Sequence, residues 1–228
     1  VQRVLVSYDD VPEWPFEAVD FTVDSLLNSA QIVDGRWEST PDGIHPVVAG
    51  YDRLITIGDR RTWTEYQVTM TFRIAWRAQP SDLPPNQGAG PAVGLGVRWD
   101  GHNETPRQPD REYWPTGGFT WFQWSDSGDR LELYANENSQ SSQIFANMDL
   151  DRDYVLRFTV ENVPGGSGGE AVYTTELWED SIDDPAAPDW SRTVTGLASA
   201  PTHGAALIIA HHVDAYIKAF DVVDLSDN

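Results

Sequence analysis

Hydrophobic and polar residues alternate along most of the chain in short runs, and the runs break at Gly, Pro, Asp or Asn. Alternation of period two puts successive side chains on opposite faces of an extended strand. Between Tyr154 and Glu161, Tyr154, Leu156, Phe158 and Val160 take one face, and Arg157, Thr159 and Glu161 take the other. The same reading predicts strands over Arg3–Tyr8, Arg53–Gly58, Tyr66–Trp76, Ala92–Trp99, Gly118–Trp124, Arg130–Ala135, Ala171–Trp178, Ala205–His212 and Ala215–Val223. Helical periodicity is scarce, and Glu17–Leu27 fits either one short helical turn or a further strand. Many short strands joined by long turns pack as a sandwich or a barrel. Leu207, Ile208, Ile209 and Ala210 are apolar on both faces, as in a central strand covered on both sides. The predicted fold class is therefore all-β, a two-sheet antiparallel jelly-roll sandwich. The loosest stretches, Ala78–Pro91, His102–Trp114 and Pro164–Gly169, each lie between predicted strands and read as loops. Residues 1–228 thus read as one domain.

Charge narrows the function. Fifteen Lys and Arg stand against 36 Asp and Glu, a net charge of −21. A nucleic-acid backbone needs a basic patch, and the sequence shows none. An anionic membrane surface is disfavoured for the same reason, and no run of eighteen apolar residues is present to insert into a bilayer. The absence of cysteine excludes disulfides, thiolate nucleophiles and Cys-ligated zinc. The chain opens at Val1 without a charged-then-apolar leader, so it reads as a mature or excised segment whose targeting signals lie elsewhere. Its acidity suits an extracellular or cell-surface setting that is saline or rich in calcium, and equally suits plain solubility.

Four segments carry a family resemblance: GYDRLITIGDR (50–60), GLGVRWDGH (94–102), YWPTGGFTWFQW (113–124) and AHHVDAYIKAFDVVDL (210–225), supported by YTTELWEDSIDDPAAPDW (173–190). Together they resemble the concanavalin A-like lectin/glucanase superfamily, in the laminin G-like modules attached to bacterial surface and secreted proteins. The resemblance covers roughly residues 50–225. It implies two antiparallel sheets, one of them concave, with ligand on the concave face or in the rim loops.

Trp99, Tyr113, Trp114, Trp121, Phe122 and Trp124 crowd one stretch of the chain. Sugars offer flat C–H faces to aromatic rings and hydroxyls to polar side chains at the ring edge. Alternation over Gly118–Trp124 separates Phe119, Trp121 and Gln123 from Thr120, Phe122 and Trp124. We assign Phe122 and Trp124 to the core, and Trp121 and Gln123 to the concave face. Arg98, placed opposite Val97 and Trp99, joins them as a floor, with His102 and Trp114 on the rim loop. The expected glycan-binding set is Arg98, His102, Trp114, Trp121 and Gln123.

The paired carboxylates of a glycosidase are not apparent. Glu176 and Glu179 flank Trp178 at an unsuitable spacing, and no Gly-x-Ser-x-Gly elbow occurs. His211 and His212 are adjacent, so a regular strand points them to opposite faces. Asp149, Asp151 and Asp153 lack the Gly and Glu of an EF-hand loop and read as a turn before a strand. For calcium, the resemblance implies Asp221 in the final strand, with Asp9 or Asp10 as N-terminal partners. The functional expectation is a non-catalytic carbohydrate-binding or adhesive module. A polysaccharide lyase or glycoside hydrolase of the same fold, or a structural spacer, are the alternatives.

Overall fold

The computed structural model describes residues 18–21, 30–79, 81, 83, 90–101, 116–135, 138–144, 148–166, 169–180, 188, 190–196 and 200–226, with 18–21 and 138–144 given as backbone. In chain order the strands are β1 (Ala18–Phe21), β2 (Ala30–Asp34), β3 (Trp37–Thr40), β4 (Gly43–Pro46), β5 (Arg53–Ile57), β6 (Tyr66–Arg77), β7 (Ala92–Trp99) and β8 (Gly118–Gln123). They continue as β9 (Arg130–Ala135), β10 (Asn138–Ile144), β11 (Asp153–Asn162), β12 (Ala171–Glu179), β13 (Trp190–Thr195), β14 (Ala205–His211) and β15 (Val213–Asp224).

They form two antiparallel sheets. One runs β13-β12-β11-β6-β15-β4-β3, with β1 also paired to β15. The other runs β10-β9-β8-β7-β14-β5-β2. Since β6 occupies one edge of β15 along its length, β4 and β1 share the other, β4 at Ile217 and β1 at Phe220–Val223. The final strand thus pairs with an N-terminal one; within Glu17–Leu27, Ala18–Phe21 is a strand, and the rest lies outside the described residues. The predicted strand Arg3–Tyr8 lies outside the described residues.

The core lies between the sheets. From β6 it takes Tyr66, Val68, Met70, Phe72 and Ile74, while Gln67, Thr69, Thr71 and Arg73 face outward. From β8 it takes Phe122, followed in the chain by Trp124, as the alternation predicts. All of β14 is buried, but on two sides: Ala206, Ile208 and Ala210 face the core, and Leu207 and Ile209 join a second apolar cluster on the outer face of the seven-stranded sheet. Each of the Leu and Ile side chains contributes about 1.5–3 kcal/mol by leaving water. The central strand anticipated at Leu207–Ala210 is therefore covered on both sides.

The chain passes from one sheet to the other at His212, between β14 and β15. Its φ of 54° makes the sharp turn, a conformation that histidine enters more readily than most residues. The His212 N–H donates to Gly50 O at 2.8 Å, and Ala78 N–H donates to His212 O at 3.0 Å. Five strands were not anticipated: β2, β3, β4, β10 and β13. They are short or polar, as in Asn138–Ile144 (NSQSSQI), and take their shape from pairing rather than from an apolar stripe.

Candidate functional site

The outer face of the seven-stranded sheet is built in rows. One row runs Arg130, Gln123, Ala92 and His211 across β9, β8, β7 and β14. The next runs Glu132, Trp121, Gly94, Ile209 and Leu54. A third runs Tyr134, Phe119, Gly96, Leu207, Thr56 and Gln31. Gly94 has a local reason: a Cβ there would collide with Thr120 O and the Trp121 side chain. Without one, the Trp121 ring reaches across β7 to within 5.7 Å of the His211 ring.

Trp121 and Gln123 thus share this face, as alternation predicts. Neither is an open platform, because Trp121 is only 4% exposed and Gln123 is buried. Trp121 sits in an aromatic cluster with Phe119 and Tyr134. Its indole N–H donates to the Glu132 carboxylate at 2.7 Å, and the Tyr134 hydroxyl donates to the same oxygen at 2.6 Å. Burial, then the neighbouring Glu132 charge, push the Tyr134 phenol well above its usual range. On the next row His211 Nδ1 meets Asp52 Oδ1 at 2.7 Å, and Tyr51 packs edge-on against the His211 ring. The sequence singled out His211 but not Glu132, Tyr134 or Asp52. Glu132 carried only the weak signal of a charge between two leucines.

Arg98 requires a correction. Strand parity sends it to the outer face, but the structure buries it completely at the end of the sandwich. Its Nε donates to Thr64 O at 2.8 Å and its Nη2 to Asn162 Oδ1 at 2.7 Å. Its backbone N–H donates to the Tyr66 hydroxyl at 2.6 Å, which in turn donates to Gly204 O at 2.8 Å. The cause is a bulge. Ala205 faces Trp99 while Leu207 faces Gly96, so Val97 and Arg98 together oppose Ala206. Arg98 has φ 53°, and side chains at Gly117 or Gly204 would strike its backbone. The bulge reverses parity: Val97 stays in the core, Arg98 leaves the outer face, and Trp99 packs against the outer cluster in its place. Only the glycines around the strand end hinted at this.

Trp99 lines an open pocket of about 520 Å³ at this end of the face. Gln31 and Thr56 contribute from β2 and β5, Asp59, Arg60 and Arg61 from the β5–β6 turn, and Asp100 from the end of β7. The turn is rigidly built. Asp59 accepts the Arg61 N–H at 2.9 Å and the Thr62 hydroxyl at 3.3 Å. Gly58, at φ 96°, lies over the fully buried Trp63 ring, where a Cβ would not fit. Arg60 pairs with Asp100 at 3.2 Å across the mouth. The predicted rim residues His102 and Trp114 lie outside the described residues.

Asp221 faces away from the core on β15, opposite Asp20 of β1. Asp9 and Asp10 lie outside the described residues. Among the described residues, no three His, Asp or Glu side chains come together as a metal ion requires. The D-x-D-x-D run forms the anticipated turn: Asp151 takes φ 61°, and Asp153 enters β11 to bind Arg73 at 2.6 and 3.0 Å. No helix among the described residues is long and apolar enough to cross a membrane.

No protein-family model matches the chain, and no curated protein sequence matches it. Solved structures do. The exoplasmic/lumenal domain of VIP36, in a Ca²⁺/Man3GlcNAc-bound form, superposes with a TM-score of 0.56 at 10% identity, covering 90% of this chain and 88% of that one. The Emp46p carbohydrate recognition domain, in a metal-free form, superposes with a TM-score of 0.55 at 12% identity, covering 87% and 89%. The Crh5 transglycosylase, in complex with NAG, gives 0.52 at 9% identity, covering 92% and 85%. With its two antiparallel sheets packed face to face, and with this likeness to lectin domains and a transglycosylase, the protein has the concanavalin A-like fold.

Proposed function

We propose that the protein is a non-catalytic carbohydrate-binding module, one domain of a bacterial secreted or cell-surface protein, and that it holds its glycan in the pocket beside Trp99. The pocket itself carries this reading. It combines one partly buried aromatic ring with an amide, carboxylates and guanidinium groups on a preformed rim, within the size range of small-ligand sites. A sugar ring stacks on the indole while its hydroxyls bond to the rim. The structural neighbours, two of them sugar-bound and one a carbohydrate recognition domain, support the class of ligand. The strong acidity supports an exterior location.

The carboxylates argue for binding rather than cleavage. Glu132 accepts hydrogen bonds from Trp121 and Tyr134 inside a buried cluster, which makes it a structural acceptor. Asp52 is held by His211. The same buried cluster of ionisable groups favours the enzyme as the second reading, because such clusters gather at catalytic sites.

A glycan array followed by calorimetry on the strongest ligand tests the proposal. Trp99→Ala should lower affinity at least about tenfold while the far-UV spectrum stays that of the parent. Unchanged affinity in Trp99→Ala would move the site elsewhere. Turnover of any arrayed polysaccharide that Glu132→Gln abolishes would replace binding by catalysis. Calcium stays a proposal of the same kind. It predicts a melting temperature that rises with Ca²⁺ beyond ionic-strength-matched NaCl, an increment that Asp221→Asn removes.

A further inference from the structure

We propose that the pocket beside Trp99 selects a sugar bearing an oxyanion, a uronic acid carboxylate or a sulfate ester, and that Arg61 is the residue that recognises it. This rests on the reading of the pocket as a glycan site and adds the chemical class of the glycan.

The inference comes from how the charges around the pocket are used. Four charged side chains line it: Asp59, Arg60, Arg61 and Asp100. Asp59 is committed to its own turn, where its two oxygens accept from the Arg61 N–H and the Thr62 hydroxyl. Asp100 and Arg60 are committed to each other at 3.2 Å. The Arg61 guanidinium makes no hydrogen bond or ion pair with any described residue. The carboxylates are engaged and one cation is not, so the pocket has an unspent capacity for an anion and none of equal standing for a cation.

A free guanidinium would be unremarkable on an ordinary surface. Here it stands in a chain with 36 acidic and 15 basic residues, where carboxylates outnumber cations by more than two to one. Its backbone is also held in place. Asp59 fixes the backbone of the turn, and Gly58 seats that turn on the buried Trp63. Less conformational freedom is therefore lost when a ligand binds. The guanidinium fork presents parallel N–H donors that match a carboxylate or sulfate. The overall negative charge is not an obstacle at this range. At physiological ionic strength fields from charges beyond about 8 Å are largely screened, while a contacting Arg61 is not. The surrounding acidity instead disfavours a long polyanion lying across the surface. It favours a single charged residue, at a chain end or among neutral sugars, entering the pocket.

The test uses matched oligosaccharides on glucose, mannose and galactose backbones: a neutral parent, the same chain with a uronic acid terminus, and the same chain with a sulfated terminus. Titration calorimetry of the full chain with each set should show at least one charged member binding tenfold or more tightly than its neutral parent. Uronate and sulfate arms then identify which oxyanion is preferred. Arg61→Gln should bring that ratio close to one, lowering affinity for the charged member far more than for the neutral parent, and Arg61→Lys should retain part of it. Trp99→Ala should weaken charged and neutral members alike. If neutral parents bind as tightly as their charged counterparts, the oxyanion inference is overturned and the glycan pocket stands. If Arg61→Gln leaves the preference intact, the anion is read elsewhere and the assignment to Arg61 is overturned. If no member binds, or Trp99→Ala changes nothing, the pocket reading falls and the inference falls with it.

Discussion

The two outer faces of this sandwich are made from the same kind of strand and have opposite characters. On the eight-stranded sheet, the face turned away from the core carries ion pairs in contact with solvent, Arg73 and Lys218 with Asp153 and Arg157 with Glu176, and His45 hydrogen-bonded between Glu38 and Asp214. It exposes 52% of Trp76. On the seven-stranded sheet, the corresponding face carries Phe119, Trp121, Tyr134, Leu207 and Ile209, all buried, with a single carboxylate bonded among the aromatics. One sheet is thus covered on its outer side only locally, where Val155 and Trp178 are buried beside Arg157, and the other across a whole aromatic cluster. The difference decides where polar groups stabilise the protein. In water a charged pair gains little, whereas under cover an unmatched polar atom costs heavily.

The largest test of this contrast is Trp121→Ala. If the outer face of the seven-stranded sheet is a second core, the substitution should cost about 3–5 kcal/mol. Thermal unfolding should show a fall of about 2–4 °C for each kcal/mol. A melting temperature close to the parent's would return Trp121 to the surface. Arg98→Ala should be similarly costly, since each hydrogen bond to a buried charge is worth about 1.5–3 kcal/mol. It should reduce stability rather than affect ligand affinity directly.

Glu132 comes next. Glu132→Ala leaves the Trp121 N–H and the Tyr134 hydroxyl without their acceptor, at a cost of about 1–3 kcal/mol, while Glu132→Gln keeps an acceptor oxygen and should cost less. Equal losses in urea denaturation would mean that the charge, not the acceptor, holds the cluster. On the other face, Glu176→Gln breaks a partly buried pair with Arg157 that still touches solvent and should cost only about 0.2–1 kcal/mol. A larger loss would show that this face is covered too.

The smallest effect at neutral pH lies at the seam between the sheets. Burial, and then the adjacent His211, lower the His212 pKa from 6.5 to about 4. A base held neutral by the fold stabilises it fully above pH 6.5. That stability is lost as the pH falls towards about 4, because the unfolded chain takes up the proton first. His212→Asn, which tolerates the same backbone conformation, should lose less stability than the parent between pH 6.5 and 4. Parallel pH profiles would remove His212 from the acid response.

The face covered on one side was the easier to read. β6 and β11 put one face to water and the other to the core, so strands at both places were legible from spacing, whereas β15 changes parity at a bulge between Ile217 and Ala219 that spacing does not show. β14 was legible as a doubly covered strand because no polar residue interrupts Leu207–Ala210. The site was legible only in part. Trp121 and Gln123 fall on the predicted face, but no local pattern says that this face is covered. Arg98 was misplaced because a bulge of one residue inverts parity, and its cause lies in Gly117 and Gly204, distant in sequence. The pocket draws on β2, β5, β7 and the start of β14, whose ends meet only after both sheets have formed.

The sequence by itself determined the all-β class, the alternating strands and the division of Phe122 and Trp124 from Trp121 and Gln123. Those follow from a side-chain period of two, which is a property of the local backbone. The tertiary structure decided which aromatic stands at an open pocket, Trp99 rather than Trp121, and which arginine stands free, Arg61 rather than Arg98. Exposure and partnership are set by what the rest of the chain packs against, and that is not encoded within any one strand.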